Sequence, residues 1–236
     1  MAKRSEPRKG KKDDGESDWQ RAWDARQAFL ESLFGRAERG IYTSLFPIYL
    51  GGNCDVLTFK KHGGKGCAYA TAGLTVTSDQ RRSKLGQYEL VMFTRKPDKF
   101  VPGLLSQLSH YTLDHPIQPF DTIGMGEQPK GVTLRALLAL EFDPPRGRFK
   151  LMGKKCGLLL LVGITEGELA AYRAKRRKEV LAALDRSVLP YTDPKRTTVI
   201  EPAARMVTGP RPARARTSAA APRSPRRRTR RRRSPR

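Results

Sequence analysis

The sequence predicts one mixed α/β domain, a single mixed sheet flanked by helices, with disordered basic segments at both ends. Two observations favour this class of fold. Short apolar runs bounded by glycine or proline, typical of strands, alternate with stretches in which apolar residues recur every three or four positions, as in amphipathic helices. The chain has 236 residues, which suits one sizeable core because domains typically span about 100–200 residues.

Charge is distributed unevenly along the chain, and this sets the predicted domain boundaries. Of the total formal charge of +24, residues 1–16 carry +2 and residues 201–236 carry +12, which leaves +10 for residues 17–200. Neither end has enough large apolar side chains to offset the entropy lost on ordering. We therefore expect a disordered segment at 1–16, a folded domain at 17–200 and a disordered Arg/Pro/Ala-rich tail at 201–236.

The domain is predicted to open with a helix that is followed by a β-hairpin. Ser17 is a suitable N-cap, and Gly35 ends the helical stripe that follows it. The stripe consists of Trp19, Trp23, Arg26, Leu30 and Leu33. Cys54 to Lys60 and Gly66 to Ala72 flank His62-Gly63-Gly64, which indicates two strands joined by a glycine turn.

Three buried strands and a second helix are predicted next. Gln87 to Thr94 is apolar on both faces for much of its length, so we expect an interior strand. A helix with Pro102 at its first position follows and ends at His115-Pro116, because proline is well tolerated at a helix start. Val132 to Leu140 and Cys156 to Gly163 are short apolar runs that we interpret as buried strands.

The last part of the domain is predicted to contain one long helix and a final strand. Thr165 and Glu168 have the spacing of a capping box, and the helix is expected to continue to Ala183. Asp193-Pro194 indicates a turn before a short strand near Thr197 to Ile200. The polar face of the helix, which we interpret as a solvated face, holds Arg173, Lys175, Arg176, Arg177 and Lys178.

Glycine-rich stretches and possible metal ligands do not match known sites. His62-Gly63-Gly64-Lys65-Gly66 lacks the spacing of a phosphate-binding loop, and Gly124-Met125-Gly126 lacks the third glycine of a dinucleotide fingerprint. Metal sites favour cysteines or histidines a few residues apart. Cys54 and Cys67 are thirteen positions apart. His110 and His115 are five apart across a predicted helix end. We expect neither a cofactor nor a metal.

No arrangement of catalytic residues can be recognised, and we predict that the protein is not an enzyme. A Gly-x-Ser-x-Gly elbow is absent, and Glu89, Glu141 and Asp143 are possible acids that nothing pairs. All three cysteines are expected to be buried packing residues. A thiol-dependent enzyme that uses Cys67 or Cys156 with one of the three histidines stays a third hypothesis.

The pattern of apolar residues predicts a cytoplasmic protein. Gly157 to Ile164 is the longest apolar candidate, far shorter than the roughly 18 residues that indicate a membrane span. No apolar stretch follows the charges at residues 1–17, as a secretory signal would require. Three cysteines, an odd number, are typical of reduced thiols.

The tail contains a dense cationic run. Such runs bind polyanions by counterion release, without sequence specificity; the alternative is a solvated extension whose binding is incidental. The run consists of Arg226, Arg227, Arg228, Arg230, Arg231, Arg232 and Arg233. We name these residues as candidate nucleic-acid contacts, to RNA or DNA.

Short motifs follow one another in a characteristic order between Leu57 and Arg196. They are Thr71-Ala72-Gly73-Leu74-Thr75, Gly86-Gln87-Tyr88-Glu89-Leu90-Val91-Met92, Pro102 with Leu105 and Leu108, Phe120-Asp121-Thr122-Ile123-Gly124, and Leu158 to Thr165 with Glu168-Leu169. Their order and spacing resemble the suppressor-of-fused-like domain family, and the second motif is similar to its Gly-x-x-Glu-Leu strand. The chain is most similar to the compact bacterial type, but differs from it in the Arg-rich tail.

The resemblance implies a mixed α/β domain that binds other proteins, without catalytic residues or a cofactor. Animal members sequester transcription factors of the Hedgehog pathway, and bacterial members are proposed as immunity proteins that neutralise toxins. Our leading hypothesis is therefore a non-catalytic protein-interaction module that binds and neutralises a toxin. Nucleic-acid association through the tail is the alternative.

Overall fold

Seven strands form one mixed sheet in the part of the chain that the computed structural model describes, residues 14–38, 54–62, 66–77, 79–128 and 130–200. The strands are β1 Asp55–His62, β2 Gly66–Ala72, β3 Gln87–Thr94, β4 Thr122–Gly124, β5 Leu134–Glu141, β6 Arg148–Leu151 and β7 Lys154–Thr165. Their order is β1-β2-β3-β7-β5-β4, and β6 also pairs with β7. β3 and β7 run parallel, and the other pairs are antiparallel.

Helices cover both faces of this sheet, which confirms the predicted fold class. The helices are α1 Asp14–Phe34, α2 Phe100–Asp114, α3 Glu166–Arg173 and α4 Arg177–Ser187, and a short 3₁₀ turn spans Leu74–Val76. Apolar residues of α1, α3 and α4 share one buried cluster. Residues of α2 belong to a second cluster on the opposite face. No helix in the described ranges is both long and apolar enough to cross a membrane.

The two predicted hairpin strands and the interior strand are confirmed, whereas the predicted turn at Gly63-Gly64 lies outside the described residues. β1 and β2 pair from Asp55 opposite Ala72 to His62 opposite Gly66. Every residue of β3 is buried, because the strand lies between β2 and β7 with helices on both sides. Its side chains alternate between the two clusters, so that Val91 contacts the α1 side and Leu90 the α2 side.

Two helix starts differ from the prediction. α1 begins at Asp14, so Ser17 lies inside the helix instead of capping it. α2 begins at Phe100, which places Pro102 at the third helical position. The first four N–H groups of a helix have no intrahelical partner, so proline is tolerated there as well.

The helical stripe of α1 packs as predicted in its described part, and α2 ends where expected. Arg26 and Leu30 are buried, and Trp23 and Leu33 are half-buried; the side chain of Trp19 lies outside the described residues. His115 is the C-cap of α2, and its N–H donates to the Tyr111 carbonyl oxygen at 2.9 Å.

The single helix predicted from Thr165 to Ala183 is wrong, because the chain breaks it into α3 and α4. Lys175 adopts a left-handed conformation with φ 65°, and the Arg176 N–H donates to the Ala171 carbonyl oxygen at 3.0 Å, as in a helix-ending turn. A continuous helix would place Arg173 three and four positions from Arg176 and Arg177, spacings at which like charges repel. The turn at Lys175 interrupts that helical spacing.

The final strand predicted near Thr197 to Ile200 is also wrong. These residues form no ladder with the sheet. The turn before them is confirmed, because the Arg196 N–H donates to the Asp193 carbonyl oxygen at 3.3 Å. The segment is held by side-chain contacts instead.

Candidate functional site

Glu89, at the centre of β3, is completely buried and connects two of the motifs found in the sequence. Its carboxylate accepts five hydrogen bonds. The donors are the hydroxyls of Thr71 and Thr75, both at 2.7 Å, and the backbone N–H groups of Thr75 at 3.0 Å, Gly73 at 3.2 Å and Leu74 at 3.3 Å. This carboxylate therefore anchors the segment between β2 and the 3₁₀ turn to β3.

These contacts identify Glu89 as a structural anchor. Its two oxygens are occupied by donors that do not move independently of the fold, so no lone pair faces a substrate or a metal ion. Within the described ranges, no lysine or arginine lies within ion-pair distance of it. Its negative charge is stabilised mainly by aligned N–H and O–H dipoles, the arrangement that binds anions at helix N-termini.

Arg26 of α1 provides a positive charge near this anchor. Its side chain is completely buried, and its guanidinium carbon lies 4.2 Å from the centre of the Trp23 ring. None of its three guanidinium nitrogens forms a hydrogen bond with another residue that the structure describes. Burial lowers the pKa of Arg26, and the nearby Glu89 charge acts in the opposite direction. Arg26 and Glu89 therefore partly compensate each other across the α1–sheet interface.

A second buried anchor lies at the junction of β7 and α3. The completely buried Glu168 carboxylate forms a bidentate ion pair with Arg196, with both N–O distances at 2.5 Å. It also accepts the N–H groups of Thr165 and Val199 at 2.9 Å, so Thr165 and Glu168 occupy the predicted capping positions. Arg196 Nη2 donates further to the Gly163 carbonyl oxygen at 2.7 Å.

This anchor changes the ionisation of Glu168 and positions the end of the domain. Burial by itself would raise the pKa of Glu168, but the Arg196 guanidinium and the N–H groups of Val199 and Thr165 lower it below its ordinary value. The Glu168 carboxylate thus fixes the segment that was predicted as a strand, Thr197 to Ile200, through its contacts with Arg196 and Val199.

A pocket of about 570 Å³ opens at the edge where the parallel strands β3 and β7 end. It is lined by Thr94, Arg95, Lys96, Pro97, Asp98, Phe100, Val132, Thr192, Asp193, Pro194 and Lys195. Thr192 forms its floor, because its N–H donates to the Phe93 carbonyl oxygen at 2.7 Å and its hydroxyl accepts the Gly163 N–H at 3.1 Å. Phe100 is exposed at the rim.

The chemistry of this pocket suits binding. Its carboxylates accept local backbone N–H groups, from Phe100 to Asp98 at 2.8 Å and from Lys195 to Asp193 at 2.9 Å. The lining contains neither histidine nor cysteine, so no threonine hydroxyl there is activated by an imidazole. Three cations, Arg95, Lys96 and Lys195, give the rim a positive character. We refer to this site as the β3–α2 pocket.

The structure does not bring the predicted acids and histidines together. Glu141 pairs with Arg148 and Asp143 with Arg146, whereas Glu89 lies in the core. His115 stacks on Tyr111 at a centroid distance of 4.8 Å. The described residues contain no group of three His, Cys, Asp or Glu side chains that could hold a metal ion.

The three cysteines are free and buried, as expected. Burial raises the pKa of all three thiols, and that of Cys156 rises to about 11. A nucleophilic cysteine needs a lowered pKa and an adjacent base. The hypothesis of a thiol-dependent enzyme therefore finds no support in the surroundings of Cys67 or Cys156.

The fold and these anchors define a mixed α/β domain whose buried carboxylates are satisfied by internal donors. The chain matches the family model described as Suppressor of fused protein (SUFU) over residues 52–197, more than half of its length, and it belongs to the suppressor of fused family. Three of the motifs on which the resemblance was based contribute residues to the two anchors, namely Thr71 to Thr75, Gly86 to Met92, and Leu158 to Thr165 with Glu168-Leu169. No curated protein sequence matches the chain.

Solved structures share this fold at low sequence identity. A chain in a crystal structure of the Sufu–Fu complex matches with a TM-score of 0.60 and 16% identity, covering 75% of this chain and 92% of that one. A SUFU homologue from Neisseria gonorrhoeae matches with a TM-score of 0.59 and 15% identity over 80% of this chain and 100% of that one. Drosophila Suppressor of Fused matches with a TM-score of 0.60 and 17% identity over 75% of this chain and 51% of that one.

Sequence patterns located only part of the site. They indicated Glu89, and Glu168 with its capping partner Thr165, but not the donors to Glu89 or the pairing of Glu168 with Arg196. The β3–α2 pocket, whose lining comes from three separate segments, was not predicted. The strand edge after Gln87 to Thr94 was the available signal, since pockets in α/β sheets often lie at the carboxyl ends of strands. The predicted contacts at residues 226–233 lie outside the described residues.

We expect Glu89→Gln to lower the free energy of unfolding by about 3 kcal/mol, a cost typical of removing one partner from a buried charged network. The amide nitrogen would face hydrogen-bond donors, and the remaining donors would lose a charged acceptor. Urea unfolding of the full chain measures this change. Glu179→Gln is the matched control, because that carboxylate pairs with Arg176 on the surface and should matter little. Equal effects of the two substitutions would contradict the anchor role of Glu89.

We expect the stability difference between the wild type and Glu168→Gln to depend on pH. Because the folded pKa of Glu168 is lowered, its contribution is complete above the ordinary glutamate pKa of about 4.3 and is lost as the pH falls through the folded pKa. Urea unfolding from neutral to acidic pH should therefore show the difference shrinking in acid. Glu166→Gln, an exposed position in the same helical turn, is the control. A difference that is constant with pH would contradict the ion pair.

Proposed function

We propose that this chain is a non-catalytic protein-interaction module. The observation that carries the proposal is the family match over residues 52–197. One of the similar structures is a complex between Sufu and Fu, which supports protein binding as the use of this fold. Binding by the present chain is our inference from that relationship.

The geometry of the described residues supports the same function. The polar groups with strong buried interactions, Glu89 and Glu168, are saturated by internal donors and stabilise the scaffold. The β3–α2 pocket combines an exposed aromatic ring, Phe100, with basic side chains on a rigid floor. Aromatic and arginine residues are enriched at protein interfaces, and a rigid scaffold reduces the entropy lost on binding.

We further propose that the partner is a toxin and that this chain acts as an immunity protein, which occludes the toxin by surface complementarity. Support comes from the Neisseria homologue, whose whole length is covered by the match; that relationship favours the compact bacterial type. Occlusion requires no catalytic residue in this chain, in agreement with the chemistry of the pocket.

The test is to recover the partner with the affinity-tagged full chain from its source cell and to compare two aspartate substitutions. Phe100→Asp places a charge on the pocket rim at a helix N-terminus, where aspartate is tolerated. Met152→Asp alters another exposed apolar residue with a left-handed backbone that aspartate tolerates. We expect a stoichiometric partner with the wild type and Met152→Asp, and loss of it with Phe100→Asp.

Expression of the recovered partner then tests the immunity role. The partner alone should arrest growth, and co-expression of this chain should restore it. A partner that leaves growth unchanged would overturn the toxin assignment and leave protein binding in place. Substrate turnover by the purified chain would contradict its proposed function as a non-catalytic protein-interaction module. Isolation of the chain without any partner would contradict that function as well.

A second candidate function is nucleic-acid association through the tail, favoured by the net charge of +12 on residues 201–236. The proposed contacts are Arg226, Arg227, Arg228, Arg230, Arg231, Arg232 and Arg233. We expect the affinity for RNA or DNA to fall steeply with salt, because binding releases counterions. Removal of residues 201–236 should abolish most of it. Binding that is independent of salt, or retained without the tail, would contradict this function.

A further inference from the structure

An exposed aromatic residue, Phe120, is held in an unfavourable backbone conformation between α2 and β4. Its φ is 78° although it is not a glycine, and its side chain is 40% exposed. Bulky residues rarely adopt this left-handed conformation. Such strain persists only where the surrounding structure imposes it, and it is concentrated at functional sites.

Three contacts impose this conformation. The Phe120 N–H donates to the Ala139 carbonyl oxygen of β5 at 2.6 Å, and the Tyr172 hydroxyl of α3 donates to the Phe120 carbonyl oxygen at 2.7 Å. The guanidinium carbon of Arg177, at the start of α4, lies 3.6 Å from the centre of the Phe120 ring. The sheet and the α3–α4 corner therefore hold one ring at the surface.

The corner that faces this ring carries unneutralised positive charge. Among the described residues, none of the four exposed cations forms an ion pair. The four are Arg173, Lys175, Arg177 and Lys178. The nearby acids are engaged: Glu179 pairs with Arg176, Glu166 pairs with Arg135, and Asp121 accepts the Gln118 N–H at 2.8 Å.

We propose that Phe120, Tyr172 and the cations of residues 173–178 form a docking surface for a protein segment that presents a carboxylate beside an apolar side chain. We call it the Phe120 surface. The proposal rests on the protein-binding function proposed above and adds to it a second contact site, distinct in its residues from the β3–α2 pocket, with a stated partner chemistry. The ring provides apolar contact area, and the stacked guanidinium provides the charge that selects the carboxylate.

The geometry of Arg177 favours a carboxylate partner. A guanidinium stacked on a ring is oriented in advance, and its planar N–H groups match a carboxylate with two parallel hydrogen bonds. No hydrogen bond to another described residue occupies these donors. Arginine and aromatic residues together are the side chains that most often dominate the energetics of protein interfaces.

A protein segment fits this surface better than a nucleic-acid strand. Asp121, which forms no ion pair among the described residues, is adjacent to Phe120. A continuous phosphate backbone running past Arg177 would meet this carboxylate and be repelled, whereas a peptide can place a single charge at Arg177. The separate Arg-rich run at residues 226–233 is a stronger polyanion ligand.

The test selects a random dodecapeptide phage library on the full chain and measures the enriched peptides, once synthesised, by fluorescence anisotropy. We expect the enriched sequences to contain Asp or Glu next to an apolar residue. Their affinity should fall about tenfold or more with Arg177→Glu, as expected for the loss of a charge-assisted pair. It should fall similarly with Phe120→Gly, which removes the ring while keeping a residue that tolerates the positive φ.

Arg186→Glu is the matched control, because it changes the same net charge on the same helix nine positions away, on the opposite side at about 100° per residue. It should leave the affinity unchanged, and melting temperatures should show that all three variants fold. Peptides that bind every variant equally would overturn the Phe120 surface and leave the protein-binding function standing. Failure to enrich any peptide would overturn it as well.

Single-stranded oligodeoxythymidine provides the nucleic-acid arm. We expect that the oligonucleotide does not displace the selected peptide from a chain that lacks residues 201–236. Displacement that is itself lost with Arg177→Glu would assign the surface to nucleic acid and overturn the proposal.

Discussion

The buried carboxylate of Glu89 is the constraint on which the rest of the domain depends. A charge without access to water must be satisfied by hydrogen bonds, or its burial becomes very costly. In this domain the donors come from Thr71 to Thr75, so the chain leaving β2 has to turn back over β3. That turn brings β2 against the central strand, and the buried Arg26 of α1 adds its charge from the covering helix.

Glu168 is a second buried carboxylate that must be satisfied by hydrogen bonds, at the other end of the parallel strands β3 and β7. Glu168 binds Arg196 and the backbone of Val199 at the β7–α3 junction. These contacts hold the preceding residues, 192–195, at the ends of β3 and β7. Residues 192–195, one wall of the β3–α2 pocket, directly precede the arginine that is fixed in this way. Buried polar groups thus stabilise the scaffold, and exposed aromatic and basic side chains remain for recognition.

Local patterns predicted the elements whose residues are all buried or all helical. The hairpin, the interior strand from Gln87 to Thr94 and the capping positions at the start of α3 were recognisable, because period and capping chemistry are local properties. β4, with three residues, and β6, with four, were missed since such short runs have no measurable period. The break at Lys175 was missed because Tyr172 and Val180, eight positions apart, keep the same helical phase on either side of it.

The sequence by itself determined the alternation of strands and helices, the basic excess at the C-terminal end and the family resemblance, because each depends on residue type and on spacing along the chain. Only the tertiary structure decided which donors reach Glu89, that Arg196 pairs with Glu168, and that Phe120 lies under Arg177. These contacts join residues far apart in sequence. Their geometry follows from the packing of the sheet and its helices, which no local pattern encodes.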